Sequence, residues 1–219
     1  SPKYETYQAN VNYLSLLSIK NYLFINIDGS ETSIPLEKIY INKSDDFDLV
    51  TPINFQESIG EYLSFEIEDI YSKLKLEGAV CFYMQMKDER VCVLNEYINA
   101  DRYRTNFYFN LTLNEADLLK NLKKDARQRL KKAIKNISIK LVEDCVSECF
   151  YRNYARISLK NLFSSDYKFT NDQLSGFSNI GNIKYIELQS GGQFVAGGFF
   201  GFNHAEVDYL YGANSECYP

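Results

Sequence analysis

The sequence lacks several features that would narrow its function at once. It has no tryptophan and a single histidine, His204, and no apolar run approaches the roughly 20 residues that span a bilayer. The first residues, Ser1-Pro2-Lys3, do not form a charged-then-apolar leader. We therefore expect a cytoplasmic protein with no transmembrane segment.

The cysteines are few and poorly placed for covalent or metal cross-links. Five of them make an odd number without disulfide-framework spacing, which is typical of a reducing compartment. Cys145 and Cys149 lie four residues apart, but a zinc site needs two further ligands, and the chain offers only His204 and no second cysteine pair. The sequence predicts no metal site.

The overall composition is that of a soluble globular protein. The 219 residues are 45% hydrophobic and 24% charged, enough for one large or two small domains with a sizeable core. The net charge of -5 argues against wholesale binding to nucleic acid or to an anionic membrane, although a local basic patch escapes that average.

Such a patch lies in the clearest predicted helix. The stretch Thr112-Leu-Asn-Glu115 has capping-box spacing, and the apolar positions that follow repeat with helical period to about Lys135. Eight cations and one anion, Asp125, fall between Lys120 and Lys135. Three interpretations remain open: a solvated helix face, a cradle for a phosphate-bearing ligand, and a basic amphipathic helix on a membrane surface.

The rest of the chain mixes helices and strands, which indicates an α+β fold. The first half predicts strands around a turn at Asp28-Gly29-Ser30 and a helix that Gly78 ends. In the second half, Asp144 is predicted to cap a helix that runs to about Phe163, and Thr170 to start a smaller one. Three closing strands follow, joined by the tight turns Ser190-Gly191-Gly192-Gln193 and Asn203-His204-Ala205.

Three segments resemble a known family. FNLTLNEADLLKNLKKDARQRLKKAIKNISIKLV is similar to the inter-domain stretch of the Fem-type (FemAB/FemX) aminoacyl- and acyltransferases, where a strand leads into a Lys/Arg-rich helix and then another strand. CFYRNYARISL resembles the aromatic-rich helix that follows in the family, and IELQSGGQFVAGGFFGFNHAEVDYLYGANSECY resembles its G-x-(V/A)-A-G and Y-x-x-G-A strands. The resemblance covers about Asn106 to Tyr218.

The resemblance implies tandem GNAT-like (acyl-CoA N-acyltransferase) folds, with mixed sheets flanked by helices. The implied domains are 1–112, an N-terminal GNAT-like domain, and 113–219, the basic linking helix with a partial second GNAT-like domain. An acyl donor is expected beside the last strands. The helix and strand that complete the donor site in relatives do not follow Pro219, so we expect either a fragment or a different donor site, with Gly212-Ala213-Asn214-Ser215 at its edge.

Four residues are candidates for catalysis. An amine that attacks a thioester or an aminoacyl ester needs positioning, a proton acceptor and donors for the developing oxyanion, but no covalent enzyme intermediate. Glu187 and Asp208 are the carboxylates in the closing strands, and His204 is the only imidazole. Tyr209 is a candidate for acceptor binding or leaving-group protonation. Each also suits an ordinary solvated, turn or packing role.

Three residues are candidates for substrate binding. Arg127 and Lys131 match the basic motif of the family most closely and are predicted to contact phosphate, whereas Tyr211 is predicted to bind the acceptor. The resemblance thus implies an N-acyltransferase that uses acyl-CoA or aminoacyl-tRNA as co-substrate, holds no tightly bound cofactor, and acts on an amine of a cell-envelope precursor or nucleotide-linked amino sugar. The alternatives are a catalytically idle GNAT-like scaffold or interaction module, and an RNA-binding domain. A tRNA is a candidate partner.

Overall fold

The part of the chain that the computed structural model describes contains two four-stranded sheets. This part comprises residues 10–17, 19, 21–26, 33–41, 45–51, 72–83, 109–135, 137–142, 145–163, 167–202 and 207–217. The mixture of helices and mainly antiparallel sheets confirms the α+β class. The tandem GNAT-like arrangement and the division at residues 112/113 stay predictions.

The first sheet has the strand order β1-β2-β3-β4. Its first three strands pair antiparallel, and β4 runs parallel to β3, which requires a long crossover between them. The crossover includes a helical segment at 72–76 that ends at Gly78, whose φ of +81° confirms the predicted stop. The predicted turn at 28–30 lies outside the described residues. The elements are α1 (Val11–Leu16), β1 (Tyr22–Asn26), β2 (Ser33–Tyr40), β3 (Phe47–Val50) and β4 (Phe82–Tyr83).

The basic segment forms two helices, α2 (Glu115–Asn121) and α3 (Lys124–Ile134). The prediction of one helix from Thr112 was wrong, because Asn114 is the cap: its side chain accepts from the Asp117 amide at 3.0 Å. The Thr112 hydroxyl instead donates to Asn110. The helical path breaks at Leu122, whose ψ of 143° is extended.

The second sheet is an antiparallel meander in the order β5-β6-β7-β8. Its last three strands confirm the predicted closing strands. Gly191 and Gly192, with φ of 56° and 79°, form the turn between β6 and β7, because a two-residue hairpin turn of this kind requires positive φ at both positions. The turn at 203–205 lies outside the described residues. The strands are β5 (Ser138–Val142), β6 (Ile183–Ser190), β7 (Gln193–Phe202) and β8 (Val207–Asn214).

Two helices pack on one face of this sheet, α4 (Glu148–Lys160) against β7 and β8, and α5 (Asn171–Ser178) against β6. The cap of α4 is Ser147, three residues later than predicted, and its hydroxyl accepts from the Phe150 amide at 3.2 Å. Thr170 starts α5 as predicted, within a complete capping box. Of the helices in the described part of the chain, none has the length and apolar composition needed to cross a bilayer.

An aromatic cluster fills the space between these helices and the sheet. Phe150 lies at its centre, with ring centroids 5.1 Å from Tyr185 and 5.5 Å from Phe199. The helix α1 also enters this core: the Tyr13 hydroxyl lies 3.2 Å from that of Tyr211, and its ring lies 5.7 Å from Phe177. The core of the second sheet therefore includes a residue from near the start of the chain.

Candidate functional site

The candidate site is an open groove on the face of the second sheet that faces away from α4 and α5. Side chains alternate between the two faces of a strand, so Ile183, Tyr185 and Phe199 enter the core while their neighbours point the other way. The groove has a volume of about 300 Å³. Its apolar lining includes Ile186, Leu188, Ala196, Gly198, Phe200 and Gly212.

A pair of glycines forms the floor of the groove, and Tyr209 lies over it. Gly198 and Gly212 face each other across β7 and β8. A Cβ atom at Gly198 would lie 2.9 Å from Cε2 of Tyr209, and one at Gly212 would overlap the Tyr209 hydroxyl. The absence of both side chains therefore allows the tyrosine, or a ligand that displaces it, to approach the backbone of the sheet.

A β-bulge places the two candidate tyrosines, Tyr209 and Tyr211, on opposite faces of the sheet. The register shifts so that Phe199 pairs with Tyr211 while Phe200 pairs with Tyr209, which leaves Leu210 as an extra residue. Tyr211 consequently packs in the core, 4% exposed and stacked on Phe177, whereas Tyr209 faces the groove and is 65% exposed. Substrate binding by Tyr211 stays a prediction, but its hydroxyl already interacts with Tyr13.

The hydroxyl of Tyr209 is the acidic group of the groove among the described residues. Although much of the side chain is exposed, its hydroxyl end rests on the glycine floor, and this desolvation raises the pKa of Tyr209. The phenol is therefore neutral at physiological pH. It is suited to donate a hydrogen bond to developing negative charge, and it is a poor proton acceptor.

Glu187 lies on the opposite side of the sheet from the groove. It is 3% exposed, and its carboxylate accepts hydrogen bonds from the Tyr185 hydroxyl at 2.9 Å and from Nε2 of Gln189 at 2.6 Å. Burial has the largest effect on the pKa of Tyr185 and raises it. A hydrogen bond from Ser147 lowers this pKa, and the neighbouring Glu187 carboxylate raises it. Glu187 thus belongs to a buried polar cluster behind the groove, and its role as a base stays a prediction.

The other two candidates for proton transfer are Asp208 and His204. Asp208, in β8, pairs with Gly201 of β7 and is partly buried. His204 lies outside the described residues. The catalytic roles of both stay predictions.

The two basic candidates have different surroundings. The Nη2 atom of Arg127 donates to the backbone oxygens of Lys120, at 2.8 Å, and Leu122, at 3.0 Å, so its guanidinium bridges the break between α2 and α3. Its Nε is buried and has no hydrogen-bond partner among the described residues. Lys131 is exposed on α3. Phosphate binding by either residue stays a prediction.

Sequence reasoning missed Arg156, which fixes the end of β8. From α4 its guanidinium donates to Oε1 of Glu216 at 2.6 Å and to the backbone oxygen of Asn214 at 2.7 Å. Asn214 also lines the groove, so Arg156 holds one end of the candidate site in place. A partner nearly 60 residues away leaves no local sequence signal.

Comparisons with known proteins found solved structures of similar fold but no match by sequence. No protein-family model and no curated protein sequence matches the chain. Among solved structures, the crystal structure of FemX aligns with a TM-score of 0.63 at 8% identity, over 98% of this chain and 77% of FemX. The structure of L-PGS from Bacillus licheniformis aligns with a TM-score of 0.50 at 8% identity, over 98% of this chain and 68% of L-PGS. The chain therefore has a Fem-like fold.

Proposed function

We propose that this protein is an N-acyltransferase that moves an aminoacyl or acyl group from aminoacyl-tRNA or acyl-CoA to an amine. The proposed acceptor is a cell-envelope precursor or a nucleotide-linked amino sugar in the cytoplasm. Two independent lines support this assignment: the Fem-type pattern of the sequence and the likeness of the fold to FemX. The feature of the site that carries it is the glycine-floored groove with the Tyr209 hydroxyl over it.

The groove suits the chemistry of direct acyl transfer. The acceptor nitrogen forms a bond to the donor carbonyl carbon, the bond from that carbon to the donor oxygen or sulfur breaks, and the proton that the amine loses passes to solvent or to the departing oxygen or sulfur. A neutral phenol stabilises the tetrahedral oxyanion or protonates the departing oxygen or sulfur. The glycine floor provides room for the extended acyl group beside the sheet.

The proposal is tested by offering the purified protein both donor classes with nucleotide-linked amino-sugar acceptors. Mass spectrometry then measures the added aminoacyl or acyl group. We expect Tyr209→Phe to lower kcat by about 10² to 10³, the range for loss of one oxyanion donor. Tyr40→Phe removes the hydroxyl of another exposed tyrosine, on β2, and serves as the matched control.

A second pair of variants tests the floor of the groove. Gly212→Ala is expected to displace Tyr209 and raise KM, whereas Gly181→Ala adds the same methyl group where no atom lies within 4 Å. Full activity in both Tyr209→Phe and Gly212→Ala would remove the groove from the mechanism. No product with any donor, in a folded protein, would instead favour the idle scaffold.

A further inference from the structure

The helix α3 presents an apolar stripe to solvent. Ala126, Leu130 and Ile134 follow one another at four-residue steps, so they lie on one face of the helix. All three are exposed, Leu130 by 39% and Ile134 by 56%, and no residue of α3 is buried. A helix that packs on its own domain would turn this stripe inward.

Cations border the stripe on both sides. Arg129 lies on one flank and Lys131 on the other, because neighbouring residues are about 100° apart around a helix, and Lys132 lies beyond Arg129 on the face opposite the stripe. The stretch 120–135 carries eight cations and one anion, a net +7. The whole chain carries -5, so the remaining residues carry -12. Such a charge separation orients α3 toward an anionic surface and the rest of the protein away from it.

We infer that α3 docks on a bilayer containing anionic phospholipids, with its axis in the plane of the interface. An exposed apolar stripe between flanks of Lys and Arg is the arrangement of an interfacial helix, because the stripe enters the acyl boundary while the cations meet headgroup phosphates. An RNA backbone would use the cations but not the stripe, so the stripe favours lipid. This surface is separate from the proposed transfer chemistry in the groove.

The absence of tryptophan provides a site-specific probe of this docking. Leu130→Trp introduces the single indole of the chain on the stripe, and Leu159→Trp introduces it at an exposed leucine of α4. We expect the emission of Leu130→Trp to shift to the blue with vesicles of phosphatidylglycerol and phosphatidylcholine, but not with phosphatidylcholine alone. Leu159→Trp is expected to keep its emission in both. The same shift at both positions, or at neither, would overturn the proposal.

Vesicle co-sedimentation separates the two contributions to binding. Arg129→Gln/Lys132→Gln is expected to weaken binding about 25-fold, at about fivefold for each cation, while leaving Arg127 and Lys131 in place. Leu130→Ser/Ile134→Ser is expected to weaken it about tenfold or more. The controls are Lys168→Gln/Lys184→Gln and Leu159→Ser, which replace two exposed lysines and an exposed leucine outside α3.

The outcomes distinguish lipid from nucleic acid. Unchanged vesicle binding by Leu130→Ser/Ile134→Ser would overturn the proposal. Tight binding of the protein to tRNA without binding to anionic vesicles would also overturn it. Circular dichroism of each variant verifies that it is folded, so a loss of binding reports on the surface itself. Because these assays contain neither donor nor acceptor, their result is independent of the proposed transferase activity.

Discussion

Replacing Gly197 with alanine tests how closely the second sheet packs on α4. Gly197 lies in β7, and a Cβ atom there would lie 2.6 Å from the Tyr185 hydroxyl and 3.0 Å from Cδ2 of Phe150. Ordinary contacts start near 3.4 Å, so both neighbours must move by several tenths of an ångström. Phe150 has little room to do so, because the rings of Tyr154 and Phe199 lie within 6 Å of it.

The expected cost is about 2 kcal/mol, since inserting a methyl group into a well-packed core typically costs about 1–3 kcal/mol. Tyr185→Phe alone should cost about 1–3 kcal/mol, because it removes a donor from the buried Glu187 carboxylate. The same change removes the atom nearest to the new methyl group. The double variant should therefore lose less than the sum of the two single losses, by about 1 kcal/mol.

Urea unfolding followed by circular dichroism measures the four corners of this cycle. Gly181→Ala is the control for the intrinsic effect of alanine, because nothing lies within 4 Å of its Cβ position. If the two single losses add to within about 0.4 kcal/mol, the proposed clash between residues 185 and 197 is absent. A Gly197→Ala protein as stable as the control would refute the packing argument altogether.

Two further predictions concern titration and the end of β8. Burial raises the pKa of Tyr154 and Tyr185, so these phenols ionise at a lower pH in the unfolded state than in the folded state. The free energy of unfolding should therefore fall above pH 10 by about 1.4 kcal/mol per pH unit for each phenol. In urea titrations, Tyr185→Phe should show a shallower fall. Arg156→Lys should speed amide hydrogen exchange at residues 214–217, because lysine lacks the forked guanidinium that binds Asn214 and Glu216. Unchanged exchange at these residues would contradict the role of this contact.

Local signals in the sequence predicted much of the second sheet and its helices. Gly191 and Gly192 determine the turn between β6 and β7, and the Thr170 hydroxyl determines the start of α5. Each acts within four residues, so the turn and the cap were identified without tertiary information. The closing strands were recognised for the same reason. The fold class follows from these elements.

Side-chain and cross-strand contacts explain what the sequence did not predict. The segment around Leu122 contains good helix formers, and nothing local indicated the break that the Arg127 side chain spans. Likewise, the alternation of a strand would place Tyr209 and Tyr211 on one face, and the bulge at Leu210 separates them. Alternation along β6 does place Glu187 with Tyr185, but only the packed helices show which face is the core.

The hydrogen bond between Tyr13 and Tyr211 joins residues 198 positions apart, so the core that contains both is complete only when the later residue has been synthesised. Translation at about 5–20 residues per second separates the synthesis of these two residues by about 10–40 s. Throughout that interval the Tyr13 side chain of α1 lacks Tyr211 of β8, with which it shares the core. The second sheet therefore closes its core late, and residues 113–219 expressed alone would leave the site of Tyr13 beside Phe177 and Tyr211 unfilled.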